Sequence, residues 1–246
     1  MNDKVNFGSK KVNKKEKPKL VSSIFSSVSS KYDLMNDAMS FGLHRAWKEK
    51  MYVSSKLQNN ETVLDIATGS GDIALKLLQK KDNLKITCLD ENAEMLQLCK
   101  DRLLDHGYIK NITFLQNAME DAKLPKNYFS LAMIAFGFRN FTDHKKALSN
   151  IFKSLLPGGR LIIMEFTTPK NKILKNIFEK YTHKVIPEIG KLLANDHDSY
   201  KYLAESISSF YTPIEVDGLL ECTDFERVRH EFLPGNMVTI HIGYKC

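Results

Sequence analysis

The feature that most constrains this chain is an apolar strand that runs into a glycine-containing turn and then into a helix, at Val63-Leu64-Asp65-Ile66-Ala67-Thr68-Gly69-Ser70-Gly71-Asp72. Gly69 and Gly71 have no side chain, so we expect the backbone of the turn to approach a ligand closely. The helix that follows presents free backbone N–H groups in its first turn. The stretch predicts a ligand-binding loop in an α/β protein; a purely structural turn is the alternative.

Two nucleoside ligands fit the loop. Residues Gly69–Ala74 match the G-x-G-x-x-G/A pattern of dinucleotide-binding proteins. Residues Asp65–Gly71 match acidic-x-G-x-G-x-G, the pattern of S-adenosylmethionine (SAM) methyltransferases, with Ala67 at the first glycine. The carboxylates of Asp65 and Asp72 flank the turn and would repel a pyrophosphate, whereas SAM carries an ammonium and a sulfonium and no phosphate. The charge pattern therefore favours SAM over a dinucleotide.

Length and charge set a second group of expectations. The chain has 246 residues, enough for one large domain, and a formal net charge of +7. Much of the positive charge lies within residues 1–19, at Lys10, Lys11, Lys14, Lys15, Lys17 and Lys19. We expect a basic flexible tail, either simply solvated or attracted to a peripheral membrane surface of anionic lipid. Because no nucleic-acid-binding motif accompanies the tail, no nucleic-acid partner is predicted.

Apolar patterning and cysteine spacing predict the compartment. No apolar run reaches the roughly 18–20 residues of a membrane span, and the Lys-rich N-terminus lacks the apolar core of a secretory signal. The four cysteines form no C-x-x-C pair, which disfavours zinc and disulfides and favours a reducing, cytoplasmic location. His44, His183 and His197 lack the H-x-x-x-H spacing of a helical metal site, so no metal is predicted.

Hydrophobic periodicity predicts an N-terminal helical cap over residues 20–60 and an α/β domain over residues 61–246, with a helical insertion at about 170–209. Strands are predicted over 62–67, 85–90, 111–116, 129–136 and 160–166, and helices over 72–80, 93–106, 143–155 and 213–222. Two final β-rich runs, 225–233 and 237–244, are joined by a turn short enough to favour an antiparallel pair. Alternating strands and helices imply a mostly parallel sheet. With an antiparallel last strand, this is the Rossmann-like, seven-stranded pattern of class I SAM-dependent methyltransferases.

Candidate ligand contacts follow the next strands, at the carboxyl edge where α/β sheets bind ligands. Asp90 ends the second strand about twenty residues after Gly71, the spacing of a carboxylate that binds a ribose diol. A helix cap is the alternative interpretation of this aspartate. Asn117 and Ala118 follow the third strand, where an amide or the backbone can contact an adenine edge.

Arg139 and Asn140 follow the fourth predicted strand and supply hydrogen-bond donors at the centre of the same edge. A guanidinium beside a phenolic substrate would favour the phenolate and lower the pKa of the phenol from about 10. A phenolate pushes electron density onto the ortho ring carbon. An arginine that pairs with a nearby carboxylate is the alternative.

Several segments resemble the signatures of the UbiE/MenG family of quinone C-methyltransferases. They are Ser29–Asp37, Met39–Arg45, Val63–Asp72, Phe136–Asn140, Lys153–Arg160, Glu165–Phe166, Val185–Gly190, Ala194–Asp196, Asp198–Ile207 and His241–Lys245. The resemblance spans about residues 20–246. By position it implies SAM contacts at Ser70, Asp90, Asn117 and Ala118, with a further contact at Ala135, where family members commonly have serine.

The resemblance implies a SAM-dependent C-methyltransferase of bacterial ubiquinone and menaquinone biosynthesis. Its expected substrates are a polyprenylated benzoquinol, 2-polyprenyl-6-methoxy-1,4-benzoquinol, and demethylmenaquinol. Arg139 and Asn140 are expected to orient or ionise the quinol hydroxyl, directly or through water, with Tyr32 assisting from the N-terminal cap. No metal is expected to take part.

Because the expected quinol substrate carries a prenyl tail, we expect the enzyme to act at the inner face of the cytoplasmic membrane. A quinone-biosynthesis complex is a candidate partner. Three alternatives remain open. The chain could methylate a soluble small phenolic metabolite, or it could be a non-catalytic SAM-binding scaffold of a quinone-synthesis complex. An NAD-dependent oxidoreductase is the third, because ribose-binding carboxylates also occur in dinucleotide-binding proteins.

Overall fold

The computed structural model describes residues 4–28, 37, 40, 42–168, 188 and 196–246. Its N-terminal segment is a β-hairpin followed by helices. The hairpin pairs strand β1 (Lys4–Phe7) with strand β2 (Lys10–Asn13). Helix α1 (Lys17–Val28) follows it directly, and helix α2 (His44–Ser55) precedes the first strand of the main sheet.

Residues 4–19 differ from the flexible tail expected from their lysine content. Phe7 of β1 stacks on Tyr202, with ring centroids 4.4 Å apart. Lys14 Nζ lies 2.7 Å from Asp143 Oδ2, and the buried Lys17 donates from Nζ to the carbonyl oxygen of Phe141 at 2.8 Å. Charge density alone misled the prediction, because an aromatic anchor and specific acidic and carbonyl partners tie the segment to the domain.

The domain is built on seven further strands. They are β3 (Thr62–Ile66), β4 (Lys85–Asp90), β5 (Ile112–Gln116), β6 (Phe129–Ala135), β7 (Leu155–Phe166), β8 (Glu226–Phe232) and β9 (Val238–Tyr244). They form one sheet in the order β5-β4-β3-β6-β7-β9-β8. The first five run parallel to one another, whereas β9 is antiparallel to both β7 and β8. The predicted strand directions, including the final antiparallel pair, are confirmed.

Helices cover both faces of this sheet. They are α3 (Asp72–Lys80), α4 (Ala93–Asp105), α5 (His144–Ser154), α6 (His197–Ser208) and α7 (Pro213–Glu221). Side chains cap α4, α5, α6 and α7 at their first turns, whereas α3 begins at Gly71 without a side-chain cap. In the first turn of α3, the backbone N–H of Ala74 hydrogen-bonds to the carboxylate of Asp65, which lies beside the predicted ligand loop.

Successive residues of β3 point into two separate cores, because side chains alternate across a strand. Val63 belongs to the core that includes Trp47 of α2 and Leu77 of α3. Leu64 belongs to the core that includes Leu148 of α5 and Leu220 of α7. Burial on both faces leaves the carboxyl edge of the parallel strands as the place for a ligand. Of the predicted insertion at about 170–209, residue 188 and the stretch containing α6 are described, and the rest lies outside the described residues.

Candidate active site

A cavity of about 380 Å³ lies at the carboxyl ends of β3, β4, β5 and β6, with helix α1 along one side. This volume is within the usual range for small-molecule sites. Most of the predicted ligand contacts line it, namely Gly69, Asp90, Asn117, Ala118, Ala135 and Asn140. The apolar side chains of Val21 and Phe25 line it from α1. Residues that are far apart in the chain therefore meet at the carboxyl edge of the sheet, as predicted.

The two glycines of the loop, Gly69 and Gly71, have different structural roles. Gly69 has φ +55° and lines the cavity, as expected. Gly71 has φ +83°, and a Cβ added there would lie 2.8 Å from Cys99 Sγ of α4. The structure therefore corrects the prediction for Gly71: it lacks a side chain because α4 packs against it. Ala67 also has a positive φ, +52°, which is a costly conformation for a residue with a Cβ.

Asp90 ties two loops together at the end of β4. Its Oδ2 accepts a hydrogen bond from Gly69 N at 2.9 Å, and its Oδ1 accepts one from Asn92 N at 2.9 Å. Burial raises the pKa of Asp90 above its ordinary value, although these backbone hydrogen bonds oppose the shift. Asn92, rather than Asp90, caps α4, since Asn92 Oδ1 accepts from Met95 N at 2.9 Å. The carboxylate thus sits at the cavity wall rather than on a helix end.

Asp65 is buried beside the loop, and its pKa is raised above the ordinary value of an aspartate. Its Oδ2 accepts a hydrogen bond from Thr68 Oγ1 at 2.6 Å. Burial raises the pKa of Asp65 from 3.8 to about 7, against the opposing effect of that hydrogen bond. A cationic ligand would favour the ionised form of this carboxyl group.

The Asp72 carboxylate is paired with other side chains, so it supports the choice of ligand less than its sequence position suggested. Its carboxylate pairs with Lys48 Nζ at 2.5 Å and also with Arg102 of α4. The predicted repulsion of a pyrophosphate by Asp72 is therefore wrong, because two cations from other helices neutralise its carboxylate.

Ser70 offers an unsatisfied hydroxyl group. A recess of about 20 Å³, lined by Ser70 and Asp65 among others, shares Ala135 and Phe136 with the main cavity. Among the described residues, Ser70 Oγ is buried and has no hydrogen-bond partner. Such an atom costs free energy unless a ligand or water bonds it.

Asn117 and Ala118 line the cavity after β5, and Ala135 lines it at the end of β6. Asn117 N donates to Asp90 O at 3.0 Å, which fixes the loop after β5 against the end of β4. Ala135 ends β6 and lines both the cavity and the recess. Because alanine has no polar side-chain atom, a polar ligand contact at this position can come from its backbone only.

Arg139 lies in a short 3-10 helix after β6 and is committed to protein partners. Its Nη1 donates to Glu165 Oε1 at 2.8 Å and to the carbonyl of Phe136, and its Nε donates to Ser206 Oγ at 3.3 Å. Arg139 is not among the residues that line the cavity. Pairing with a carboxylate was the alternative interpretation, and the structure shows that pairing. Among the described residues, Nη2 makes no hydrogen bond, whereas Nε and Nη1 do.

Asn140 reaches the cavity and is held by a residue that sequence reasoning missed. Tyr202 donates its hydroxyl hydrogen to Asn140 Oδ1 at 3.0 Å. Burial raises the pKa of Tyr202 to about 12, so the hydroxyl remains a donor at neutral pH. Phe7 of the N-terminal hairpin stacks on the Tyr202 ring. The resemblance of residues 198–207 to a family signature was the only sequence signal for Tyr202.

Tyr32 and His183 lie outside the described residues, so the role predicted for Tyr32 stays a prediction. His44 contacts Asp37 Oδ1 at 2.8 Å, and His197 contacts Asp198 Oδ1 at 3.4 Å. None of the helices in the part of the chain that the structure describes is long and apolar enough to cross a bilayer.

Comparison with known proteins decides what this arrangement belongs to. The model of the ubiE/COQ5 methyltransferase family matches residues 10–245. The chain belongs to this family. The resemblance found in the sequence is thereby confirmed, and the chain is an enzyme, a SAM-dependent C-methyltransferase.

Curated relatives extend over nearly the whole chain. The ubiquinone/menaquinone biosynthesis C-methyltransferase UbiE of Proteus mirabilis is 40% identical over 240 residues, covering 97% of this chain and 96% of that protein. The protein of the same name from Francisella tularensis subsp. novicida is 40% identical over 245 residues, covering 99% and 98%.

Solved structures confirm the class I fold. A SAM-dependent methyltransferase from Aquifex aeolicus matches with a TM-score of 0.59 at 20% identity, covering 81% of this chain and 89% of that one. Phosphoethanolamine N-methyltransferase 2 of Haemonchus contortus, in complex with SAM, matches with a TM-score of 0.60 at 12% identity, covering 81% and 52%. At these identities the likeness is one of fold alone.

Proposed function

We propose that this chain transfers the methyl group of SAM to a ring carbon of a polyprenylated benzoquinol, and to demethylmenaquinol, in ubiquinone and menaquinone biosynthesis. The observation that carries the proposal is one continuous cavity whose wall includes both Asp90 and Asn140. The relatives' names point to the same pathway. Holding both reactants in one cleft supplies much of the barrier reduction in a transfer of this kind.

The residues fit SAM along the loops after β3, β4 and β5. In this proposal Asp90 accepts hydrogen bonds from the ribose hydroxyls, and Asn117 and Ala118 contact the adenine. In support, all three residues line the cavity. The unsatisfied Ser70 Oγ and the buried Asp65 suit the charged methionine end. SAM supplies an electrophilic methyl group on a sulfonium when it is bound.

Asn140 is the residue best placed to meet the quinol. Because its Oδ1 accepts from Tyr202, its NH₂ group is left to donate to a quinol oxygen. The walls from α1 and from the loop after β6 are apolar around Val21, Phe25 and Phe141. An aromatic ring with a prenyl substituent suits such walls.

Arg139 assists from behind the cavity wall. Its pairing with Glu165 fixes the guanidinium, and Nη2 is left to bond a water that reaches the quinol hydroxyl. A nearby positive charge favours the phenolate, which raises electron density at the carbon that attacks the methyl group. Tyr32 is proposed to assist from the segment before α2.

The N-terminal segment offers a membrane contact next to the cavity. Lys10, Lys11, Lys15 and Lys19 are exposed, and Lys15 also lines the cavity. Attraction of each such charge to an anionic bilayer is worth roughly 1 kcal/mol near the surface. A membrane-bound prenyl tail could then remain in the bilayer while its ring enters the cavity.

Vesicle sedimentation tests the membrane contact. Replacing Lys4, Lys10, Lys11 and Lys19, which are exposed and do not line the cavity, by glutamine should weaken binding to anionic vesicles at low salt and leave SAM affinity unchanged. The matched control replaces four exposed lysines elsewhere, Lys56, Lys85, Lys110 and Lys126. Equal vesicle binding by both variants would show that the lysines of the N-terminal segment are merely solvated and make no specific membrane contact.

Methyl transfer to defined quinols tests the function itself. The chain should convert SAM and each demethylated quinol into a product heavier by one methylene, with the new carbon on the ring. Faster methylation of a tail-free phenol, without lipid dependence, would instead support a soluble phenolic substrate. Full SAM affinity without any transfer, even with reconstituted partners, would support a scaffold in a quinone-biosynthesis complex.

A further inference from the structure

Two histidines face one another at the edge of the sheet, away from the cavity. His230 of β8 and His241 of β9 are directly opposite in the register of this antiparallel pair. Opposite residues of two strands project from the same face. Helix α7 packs on β8 and β9 and brings Asp217 to the two rings.

The three side chains converge through their ligating atoms. Asp217 Oδ2 lies 2.5 Å from His230 Nδ1, and Asp217 Oδ1 lies 2.7 Å from His241 Nδ1. One ligating atom from each residue lies within 4.8 Å of the others. Imidazole nitrogens and a carboxylate are the donors that zinc and other divalent first-row metals take in proteins.

Neighbouring residues prepare His241 for coordination through Nδ1. A coordinating Nδ1 must carry a free lone pair, so the ring proton has to lie on Nε2. Thr239 Oγ1 lies 3.1 Å from His241 Nε2 and can accept that proton's hydrogen bond. A second partner of this kind fixes the orientation and tautomer of a metal-binding histidine.

The Asp217–His230–His241 cluster is buried on one side and open to solvent on the other, so a bound ion could also take water as a ligand. The His241 side chain is 1% exposed, whereas those of Asp217 and His230 are 19% and 21% exposed. Water can therefore reach the outer side and complete the coordination shell. The His230 ring also meets the edge of Phe232, with centroids 5.4 Å apart, which limits its rotation.

We propose that Asp217, His230 and His241 bind a divalent transition-metal ion, with zinc as the expected occupant and water as a further ligand. In the metal-free chain the same atoms lie at hydrogen-bonding distances, so the ion competes with two hydrogen bonds. The bound ion fastens α7 to the terminal β8–β9 hairpin. None of the three residues lines the cavity, so the role is structural and independent of methyl transfer.

Zinc titration of the full chain against a chromophoric chelator tests this site. We expect one ion per chain, with affinity at least 100-fold weaker in His230→Gln and in Asp217→Asn. Controls are His106→Gln, which changes an exposed histidine, and Cys222→Ser with Cys246→Ser, because exposed thiols also bind zinc. The controls should retain the wild-type affinity. Zinc should raise the melting temperature of the wild type and of the controls only.

Unchanged zinc affinity in His230→Gln and Asp217→Asn, or binding lost with the two cysteines, would overturn the proposal. The proposal would also be overturned if the wild type bound no zinc stoichiometrically. The three side chains would then form a hydrogen-bonded His–Asp–His cluster and not a metal site. If a cluster variant fails to fold, Co²⁺ bound to the wild type gives a second readout. Its absorption should lack a thiolate charge-transfer band, and such a band would contradict the site.

Discussion

Glu165 Oε1 accepts a hydrogen bond from Arg139 Nη1 at 2.8 Å, and both side chains are almost fully buried. Glu165 Oε2 also accepts from Arg139 N at 3.1 Å. One carboxylate therefore fixes the backbone and the guanidinium of the residue that precedes Asn140 at the cavity wall. Removing one partner of a buried ion pair typically costs about 3–5 kcal/mol, because the other charge is left uncompensated.

Glu165→Gln should lower kcat on the quinol much more than it changes SAM affinity. The amide cannot compensate the Arg139 charge, so the loop after β6 loses its fixed position. The control is Glu61→Gln, which removes the charge of Glu61 from its largely buried pair with Arg160, outside the cavity lining. Both variants should lose stability, measured by urea unfolding, but only Glu165→Gln should lose turnover per folded molecule. Equal kcat in the two variants would mean that the Arg139–Glu165 pair serves stability alone.

Asp90→Asn should weaken SAM binding by roughly 10- to 100-fold, since hydrogen bonds to charged groups are worth about 1.5–3 kcal/mol. The ribose hydroxyls lose an ionised acceptor, whereas the amide retains the side chain's size. Calorimetric titration of SAM measures the change. Asp101→Asn, on the exposed face of α4, is the control and should bind SAM as the wild type does. An unaltered dissociation constant in folded Asp90→Asn would remove Asp90 from the SAM site.

Asp65 should make both stability and SAM affinity depend on pH. Its folded pKa of about 7 lies above the ordinary 3.8, so the folded chain keeps a proton that the unfolded chain releases. The protonated carboxyl group's contribution to stability is therefore full below about pH 4 and is lost as pH rises through 7, at about 1.4 kcal/mol per pKa unit. SAM-free Asp65→Asn should accordingly be more stable than the wild type at pH 8, and the difference should vanish near pH 4.

SAM binding should show the opposite pH trend. Ionised Asp65 attracts the positive charges of SAM, so wild-type affinity should rise between pH 6 and pH 8, whereas that of Asp65→Asn should stay level. Titrations at both pH values measure the trend. Parallel pH profiles for the two proteins would show that Asp65 does not titrate in this range.

The sequence predicted the features that depend on strand ends. Asp90 and Asn117 were identified because parallel strands bring their carboxyl ends to one edge. The sequence did not reveal why residue 71 is glycine or that Asp72 is neutralised. Gly71 is crowded by α4, and Asp72 pairs with Lys48 of α2 and Arg102 of α4, so both features depend on helices that are distant in the chain. Likewise, Arg139 could not be paired with Glu165 until the register of β6 and β7 was known.

The N-terminal hairpin shows a different limit of sequence reasoning. Its lysines predicted a tail, yet Phe7 packs on Tyr202, which in turn holds Asn140. A short two-stranded hairpin is marginal by itself. Its order depends on α6, so local composition could not reveal it.

Asn140→Ala, measured by single-turnover transfer to a demethylated quinol together with SAM titration, separates the two halves of the cavity most directly. SAM affinity should stay within about threefold, because the proposed arrangement has Asn140 contact the quinol and not the cofactor. The transfer rate should fall by about 10²–10³, the typical loss for one preorganised donor. A wild-type rate in this variant, or a loss of SAM affinity as large as the loss of rate, would contradict the placement of the quinol at Asn140 and of SAM at Asp90.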